Sequence, residues 1–225
     1  MFDYNAQYRR LRETGARGWA GDQHERGVAQ ASAMLDRLMR ETCFPPPPAR
    51  VLELGCGNGL WALLMARKDY RAFGVDIAEL AIEWARERFG EARLPGDFTQ
   101  GDVCSMPFYG DAMFDIVADG ACLHCLLGDQ RAQCLAEVRR VLRPGGVFIV
   151  SSMCGLPKSD GLKQHFDPET EQLRLYGRPY RTLKQADAID REVAEAGFTI
   201  VMRDVADNAW WDHLTLLAVA GATPH

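Results

Sequence analysis

A short apolar run followed by three glycines at alternate positions constrains this chain more than any other feature. The run is Val51–Leu54, and the turn Gly55–Gly59 reads Gly-Cys-Gly-Asn-Gly. Glycine lets the backbone turn tightly and approach a ligand closely, because no β-carbon stands in the way. Leu60 and Trp61 then begin a segment of helical period. A buried strand that enters a helix through such a turn is typical of nucleotide-binding α/β folds.

Further apolar runs recur along the chain, and most alternate with segments of helical period. They are Ala72–Val75, Phe98–Gln100, Phe114–Ala118, Gly146–Ser151, Thr199–Arg203 and Leu214–Ala220. This alternation predicts a doubly wound, parallel α/β sheet with helices on both faces. About ten residues join the last two runs, too few for a helical crossover, so we expect those strands to pair as an antiparallel hairpin.

Two regions lie outside this alternation. Residues 1–42 contain a helical segment, Val28–Met39, and precede a rigid run of prolines, so we interpret them as an N-terminal helical cap. Residues 153–182 follow the fifth strand and are too long for an ordinary connection, which predicts a lid over a site. The 225 residues together are the size of a single α/β domain.

Composition excludes several classes of partner. The formal charge is −5, with 26 basic and 31 acidic residues spread along the chain, which argues against a nucleic-acid partner. Seven cysteines without a paired framework, and no secretory signal, predict a cytoplasmic protein with reduced thiols. The apolar stretches are far shorter than the ~20 residues of a membrane helix, so no membrane association is expected. Monomer and homodimer both stay open.

Residues at the ends of the first three strands indicate a nucleoside ligand without a diphosphate. A dinucleotide fingerprint has glycine at the sixth position of the turn, where this chain has Leu60. Asp76 closes the second strand about 20 residues after the turn, where a carboxylate can accept hydrogen bonds from a ribose diol. Ile77 offers an apolar face to a purine, and Asp102 can accept from an exocyclic amine.

Together these motifs resemble the class I S-adenosylmethionine-dependent methyltransferases of the small-molecule type, over about residues 50–152. Phe114–Val117 with Leu123 and His124 resembles the fourth-strand motif of that family, and Leu142–Gly146 resembles its turn before the fifth strand. The resemblance implies a Rossmann-like seven-stranded sheet of order 3-2-1-4-5-7-6 with the last strand antiparallel. It also implies S-adenosyl-L-methionine as the cofactor.

The predicted cofactor contacts follow the first four strands. Glu53, Gly55, Cys56 and Gly57 are expected at the methionine part, Asp76 and Ile77 at the ribose and purine, Asp102 and Val103 at the adenine, and Asp119 at the cofactor amino group or the substrate.

The substrate is predicted to be a small molecule with a nitrogen, oxygen or sulfur acceptor. Aromatic residues concentrate in the two appendages and at the terminal hairpin, where we expect them to cover the substrate. Cys154 joins them because it lies at the carboxyl end of the fifth strand. The predicted substrate-binding residues are Tyr4, Tyr8, Trp19, Cys154, Tyr176, Tyr180 and Trp211.

In-line methyl transfer depends mainly on alignment, and a general base helps when the acceptor carries a proton. His124, Asp119 and His165 are the candidate bases. Cys122 and Cys125 resemble half a zinc site, but a structural zinc needs four ligands, so no metal is expected. Two alternatives stay open: an NAD(P)-dependent oxidoreductase on a related fold, and a methyltransferase-like subunit that binds the cofactor without catalysis.

Overall fold

The computed structural model describes residues 2–221. The helices are α1 (Tyr4–Glu13), α2 (His24–Leu38), α3 (Leu60–Ala66), α4 (Glu79–Ala92), α5 (Gln130–Val141), α6 (Asp160–Lys163) and α7 (Ala186–Glu195). The strands are β1 (Arg50–Leu54), β2 (Arg71–Asp76), β3 (Gly96–Gln100), β4 (Phe114–Asp119), β5 (Leu142–Cys154), β6 (Phe166–Asp167), β7 (Gln172–Leu175), β8 (Arg178–Thr182), β9 (Phe198–Ala206) and β10 (Asp212–Ala220).

Seven strands form the main sheet in the order β3-β2-β1-β4-β5-β10-β9. The first five strands pair in parallel, whereas β10 runs antiparallel to both β5 and β9. Since β9 and β10 are the sixth and seventh strands of this sheet along the chain, the predicted order 3-2-1-4-5-7-6 is confirmed. The predicted terminal hairpin is confirmed as well, because a connection this short brings the second strand back beside the first.

The central strands read as continuous apolar runs because the sheet is covered on both faces. On one face, Phe148 and Leu216 belong to a cluster that includes residues of α5 and α7. On the other face, Ile116 and Ile149 pack with Leu35 of α2 and Met65 of α3. The two clusters hold the carboxyl ends of the central strands in one rigid edge.

The N-terminal region forms two helices that pack in different places. In α2, Leu35 and Leu38 are buried in the second of these clusters. In contrast, α1 packs along α4, where the backbone N–H of Leu80 donates to Asn5 Oδ1 at 3.1 Å. Tyr4 and Tyr8 are one turn apart on α1 and therefore share a face of the helix.

Residues 153–182, which the sequence predicts to form a lid, contain regular secondary structure. Strand β5 continues through Cys154, and after α6 the segment folds into an antiparallel sheet of order β6-β7-β8. This small sheet has a core of its own, in which Leu173 and Leu183 pack with Met153. Thr182 ties it to the main body by donating a hydrogen bond from Oγ1 to the carbonyl of Leu126 at 2.7 Å.

The helices are short, and the longest has 15 residues. Between residues 2 and 221, none combines the length and the apolar character that crossing a bilayer requires.

Candidate cofactor and acceptor site

A cavity of about 950 Å³ opens at the carboxyl ends of the parallel strands, which is where open α/β sheets hold their ligands. One wall consists of residues that follow β1, β2, β3 and β4. The other wall comes from α1, the 3-10 turn Leu123–Cys125, β8 and the start of β10. The cavity therefore joins the glycine-rich turn to both appendages.

The glycine-rich turn needs its glycines for conformation and for space. Gly55, Gly57 and Gly59 have φ angles of 54°, 53° and 71°, in the left-handed region that other residues rarely adopt. A β-carbon on Gly55 would lie 2.7 Å from Cβ of Cys122, and one on Gly57 would lie 2.8 Å from the Tyr8 hydroxyl oxygen. Side chains at these positions would collide with their neighbours.

Glu53 joins β1 to the start of α3. It is buried, and its two carboxyl oxygens accept hydrogen bonds from the backbone N–H groups of Trp61 at 3.2 Å and Ala62 at 2.8 Å. Burial raises the pKa of this carboxyl to about 8, although the two backbone donors act in the opposite direction. Glu53 therefore holds its proton to a much higher pH than an exposed glutamate.

Asp76, at the end of β2, is also buried against the turn. Its Oδ2 accepts from the backbone N–H of Gly57, and its Oδ1 from that of Ala78, both at 2.9 Å. Burial raises the pKa of this carboxyl. Each oxygen keeps a second lone pair, so Asp76 can still accept hydrogen bonds from a diol.

Near β3, the cavity presents a mixed apolar and polar wall. Ile77 and Val103 line it together with Asp102. The carboxylate of Asp102 is oriented by the backbone N–H of Cys104, which donates to Oδ1 at 2.8 Å. All eight residues predicted along the first three strand ends line this one cavity: Glu53, Gly55, Cys56, Gly57, Asp76, Ile77, Asp102 and Val103.

His124 lines the opposite part of the cavity, in the turn after β4. The backbone N–H of Met153 donates to its Nδ1 at 3.3 Å, so a neutral ring carries its proton on Nε2. Burial, and then the positive charge of Arg181, lower the pKa of His124 well below its usual value. This geometry makes His124 a neutral hydrogen-bond donor toward the cavity, which does not agree with the predicted role as a general base.

Aromatic side chains from both appendages line the cavity. Tyr8 and Trp19 have ring centroids 5.2 Å apart, and Tyr4 and Trp19 have centroids 6.0 Å apart. We call six of the cavity-lining aromatic side chains, those from the two appendages and the terminal hairpin, the aromatic roof: Phe2, Tyr4, Tyr8, Trp19, Tyr180 and Trp211. The structure thus brings together five of the seven residues predicted to bind substrate and adds Phe2.

The structure places Asp119 behind the cavity wall, which corrects the expectation that it faces a ligand. Its Oδ1 accepts from the backbone N–H groups of Cys122 at 2.6 Å and Leu123 at 2.9 Å, and Oδ2 accepts from that of Ser151 at 3.3 Å. Burial raises its pKa to about 6. Asp119 therefore holds the turn that carries His124.

Three other predicted residues also lie away from the cavity. Side chains alternate along a strand, so Met153 faces the cavity while Cys154 points into the core beneath the sheet. His165 is exposed outside the lining, where its carbonyl accepts from the backbone N–H of Arg174. Tyr176 is 95% exposed at the turn between β7 and β8. These positions correct the expectation that Cys154 and Tyr176 bind the substrate and that His165 acts as a base.

Among the lining residues that were missed from the sequence are His213 and Arg181. His213, at the start of β10, lies opposite Met153 of β5 in the antiparallel register, and its Nε2 is 2.9 Å from Ser151 Oγ. Arg181 of β8 is buried beside Tyr4. Each lies far along the chain from the recognised motifs, and no local sequence signal marks either one.

Metal-binding groups are absent from the part of the chain that the structure describes. Within residues 2–221, no three His, Cys, Asp or Glu side chains are arranged to hold an ion. All seven cysteines are free thiols, and burial raises the pKa of both Cys122 and Cys125.

Comparisons with known proteins agree with this geometry. Residues 51–146 match a family described as "Methyltransferase domain". The 27-O-demethylrifamycin SV methyltransferase of Amycolatopsis mediterranei is 31% identical over 151 residues, covering 66% of this chain and 53% of that protein. Residues 51–146 form a class I S-adenosylmethionine-dependent methyltransferase domain. The cofactor of this family is S-adenosyl-L-methionine. It fits a cavity in which the glycine-rich turn leaves space that β-carbons would fill. The alternative of an NAD(P)-dependent oxidoreductase is not supported.

Two further comparisons place this methyltransferase more broadly. The S-adenosyl-L-methionine-dependent Diels-Alderase of Talaromyces variabilis is 34% identical over 184 residues, covering 78% of this chain and 61% of that protein. An S-adenosylmethionine-dependent methyltransferase from Clostridium acetobutylicum shares the fold, with a TM-score of 0.70 at 15% identity, over 89% of this chain and 96% of that one. The chain spans about half to three fifths of the length of the two curated relatives, 53% and 61%.

Proposed function

We propose that this methyltransferase domain transfers the methyl group of S-adenosyl-L-methionine to a small molecule held beneath the aromatic roof. The observation that carries the proposal is the continuity of one cavity from Glu53 and Asp76 to Tyr180 and Trp211. A cofactor at the glycine turn and an acceptor under the roof would share that cavity without an intervening wall.

The cofactor contacts that we propose are those predicted from the sequence. Glu53 and the glycine turn would hold the methionine part, Asp76 the ribose, and Ile77, Asp102 and Val103 the adenine. A cytoplasmic location, the absence of a nucleic-acid partner and a monomeric or homodimeric state stay predictions.

The protein's main task in such a reaction is alignment. The sulfonium supplies a methyl group that is already activated, and correct alignment can provide up to about 7–11 kcal/mol. His124, with its proton on Nε2, would donate to the acceptor and orient it. The rings of Trp19 and Tyr180 would exclude water and fix the plane of an apolar acceptor.

His213 is the better candidate for a general base. Burial lowers its pKa, so the ring is neutral at physiological pH. In the tautomer whose Nε2 donates to Ser151 Oγ, Nδ1 keeps a lone pair, and Nδ1 has no hydrogen-bond partner among residues 2–221. A base placed in this way can accept the proton of a phenol, amine or thiol acceptor.

Titration with S-adenosylhomocysteine, followed by turnover with methyl-labelled cofactor, tests the proposal. Matched aromatic phenols, amines and thiols serve as acceptors, and product is detected as label in an extracted small molecule. We expect tight binding of S-adenosylhomocysteine and transfer to one acceptor class. Failure to bind S-adenosylhomocysteine, or binding without label in any acceptor, contradicts the proposal.

A second candidate is a cyclisation catalyst that binds the cofactor without transferring its methyl group. The match to the Diels-Alderase over 78% of this chain favours it. Adding a substrate that carries a diene and a tethered alkene to the same panel distinguishes the two, because a cyclase yields a product isomeric with that substrate and releases no S-adenosylhomocysteine. If neither product forms and a stoichiometric protein partner is found, the non-catalytic subunit is the better description.

A further inference from the structure

Arg181 is a buried cation in the acceptor part of the cavity. It lies on β8 with 8% of its surface exposed and lines the cavity under the aromatic roof. Its Nη1 donates to the Tyr4 hydroxyl at 3.1 Å and to the Tyr180 carbonyl at 2.9 Å. The guanidinium also lies over the rings of Phe2 and Tyr180, at 5.9 and 5.2 Å from their centroids.

No carboxylate within residues 2–221 pairs with this guanidinium. The ionisable groups that act most strongly on the pKa of Arg181 are Cys125, Tyr4 and Tyr180, and the charge of Arg181 lowers the pKa of His124. Burial raises the pKa of Cys125 and of Tyr4, so both are neutral at physiological pH. Arginine keeps its charge even when buried, and buried charges in proteins are normally paired. Arg181 therefore lacks the partner that its position requires.

The unused donors of Arg181 suit an anion. Nε and Nη2 have no hydrogen-bond partner among the described residues, and a guanidinium fork matches a carboxylate or phosphate in a bidentate geometry. Arg178, exposed on the same strand, adds a second positive charge to the cavity lining. The acidic lining residues, Glu53, Asp76 and Asp102, all lie at the other wall.

We propose that the acceptor is an anion whose carboxylate or phosphate pairs with Arg181. This inference rests on the proposed function, because it names the chemical class of the substrate in the same site. The carboxylate of the cofactor is a second anion that could pair with Arg181. The experiment therefore distinguishes an anion on the acceptor from the carboxylate of the cofactor.

The test measures binding to the full chain saturated with S-adenosylhomocysteine, by calorimetry. The probes are 4-hydroxybenzoate and phenyl phosphate, with 4-hydroxybenzamide as the uncharged match. In the parent protein we expect the anions to bind at least about tenfold more tightly than the amide, and loss of the buried charge should abolish that preference. Arg181→Met should therefore bind all probes alike, whereas Arg181→Lys should keep part of the preference.

Arg174→Met is the matched control. Arg174 lies on the neighbouring strand β7, pairs with Asp167 and is outside the cavity, so its loss should leave the anion preference unchanged. Circular dichroism checks that each variant folds, and Arg181→Lys decides the question if Arg181→Met does not fold.

Two results overturn the proposal. One is equal or undetectable binding of the anions and the amide in the parent protein. The other is an Arg181→Met variant that loses affinity for S-adenosylhomocysteine while keeping the anion preference, which would assign Arg181 to the carboxylate of the cofactor. Binding of the probes needs no methyl donor, so the anion preference can be measured even if no methyl group is transferred. Failure of the proposed methyl transfer and failure of the proposed pairing with Arg181 can therefore be told apart.

Discussion

The hydroxyl oxygen of Tyr8 lies 2.8 Å from the position that a β-carbon on Gly57 would occupy. The first helix of the cap and the glycine-rich turn are therefore in close contact, and each limits what the other can hold. Burial, and then the nearby Asp76 carboxyl, raise the pKa of the Tyr8 phenol well above its usual value, so it stays protonated over the turn.

Gly57→Ala should weaken binding of S-adenosylhomocysteine at least about tenfold. The φ of 53° at this position costs an L-residue about 1–2 kcal/mol, and the added methyl group would also meet the Tyr8 hydroxyl. Adding Tyr8→Phe should recover only the part due to the collision, which a double-mutant cycle measures by calorimetry.

Gly90→Ala is the control for that prediction. Gly90 lies within α4 with nothing within 4 Å of its would-be β-carbon, so affinity should not change and the helix should gain up to about 1 kcal/mol. Equal affinity of Gly57→Ala and the parent protein would falsify the steric argument.

The free energy of unfolding should depend on Glu53 in a specific pH window. Its pKa is raised from 4.5 to about 8 in the folded state, so the folded protein binds a proton that the unfolded chain has lost. The stability that Glu53 contributes is therefore complete below pH 4.5 and is lost as pH rises toward 8, with a slope of at most about 1.4 kcal/mol per pH unit.

Urea unfolding at several pH values across this window tests the sign. Glu53→Gln should flatten the pH dependence, because glutamine does not titrate. Parallel profiles for Glu53→Gln and the parent protein would show that the proton resides elsewhere.

His213→Ala should lower turnover by about 10²- to 10⁴-fold at saturating cofactor and acceptor, if His213 is the base. Burial lowers its pKa, so the acid limb of the parent pH–rate profile should lie below pH 6.5 and disappear in the variant. His165→Ala should leave turnover unchanged, since that side chain is exposed outside the cavity. An acid limb that persists in His213→Ala assigns the base to another group.

Arg131→Met should destabilise the fold by about 1–3 kcal/mol, because Glu192 keeps only Lys184 as a partner and the buried carbonyl of Leu123 loses its side-chain donor. The Arg131 side chain is 4% exposed, and its Nη1 donates to the carbonyl of Leu123 at 2.7 Å, next to His124. Turnover should fall as well, because the turn that carries His124 loses this support.

Arg203→Met is the matched comparison for that variant. The Arg203 side chain is 41% exposed, against 4% for Arg131, and pairs with Asp187 and Asp190, which are 79% and 21% exposed. Ion pairs of an arginine this exposed contribute about 0–1 kcal/mol each. Equal losses of stability in the two variants, measured by denaturant unfolding, would contradict the role of burial.

The cavity residues at the ends of β1, β2 and β3 could be predicted from the sequence, whereas those of the opposite wall could be predicted only in part. Glu53 and Asp76 follow directly from strand ends, and parallel strands bring those ends to one edge. Asp119 also ends a strand, yet its carboxylate turns back to three backbone N–H groups, which no motif reveals. Arg181 was missed because its role depends on the fold of the small sheet.

By itself, the sequence determined the strand-turn-helix with its three glycines, the alternation of strands and helices, and the terminal hairpin, because each depends on residues close together in the chain. The tertiary structure decided which side chains face the cavity. Met153 faces the cavity and Cys154 the core, and His213 joins Met153 through the register between β10 and β5. Successive side chains of a strand point to opposite faces of the sheet. Which of them face the cavity therefore depends on the register with which strands from distant parts of the chain pair.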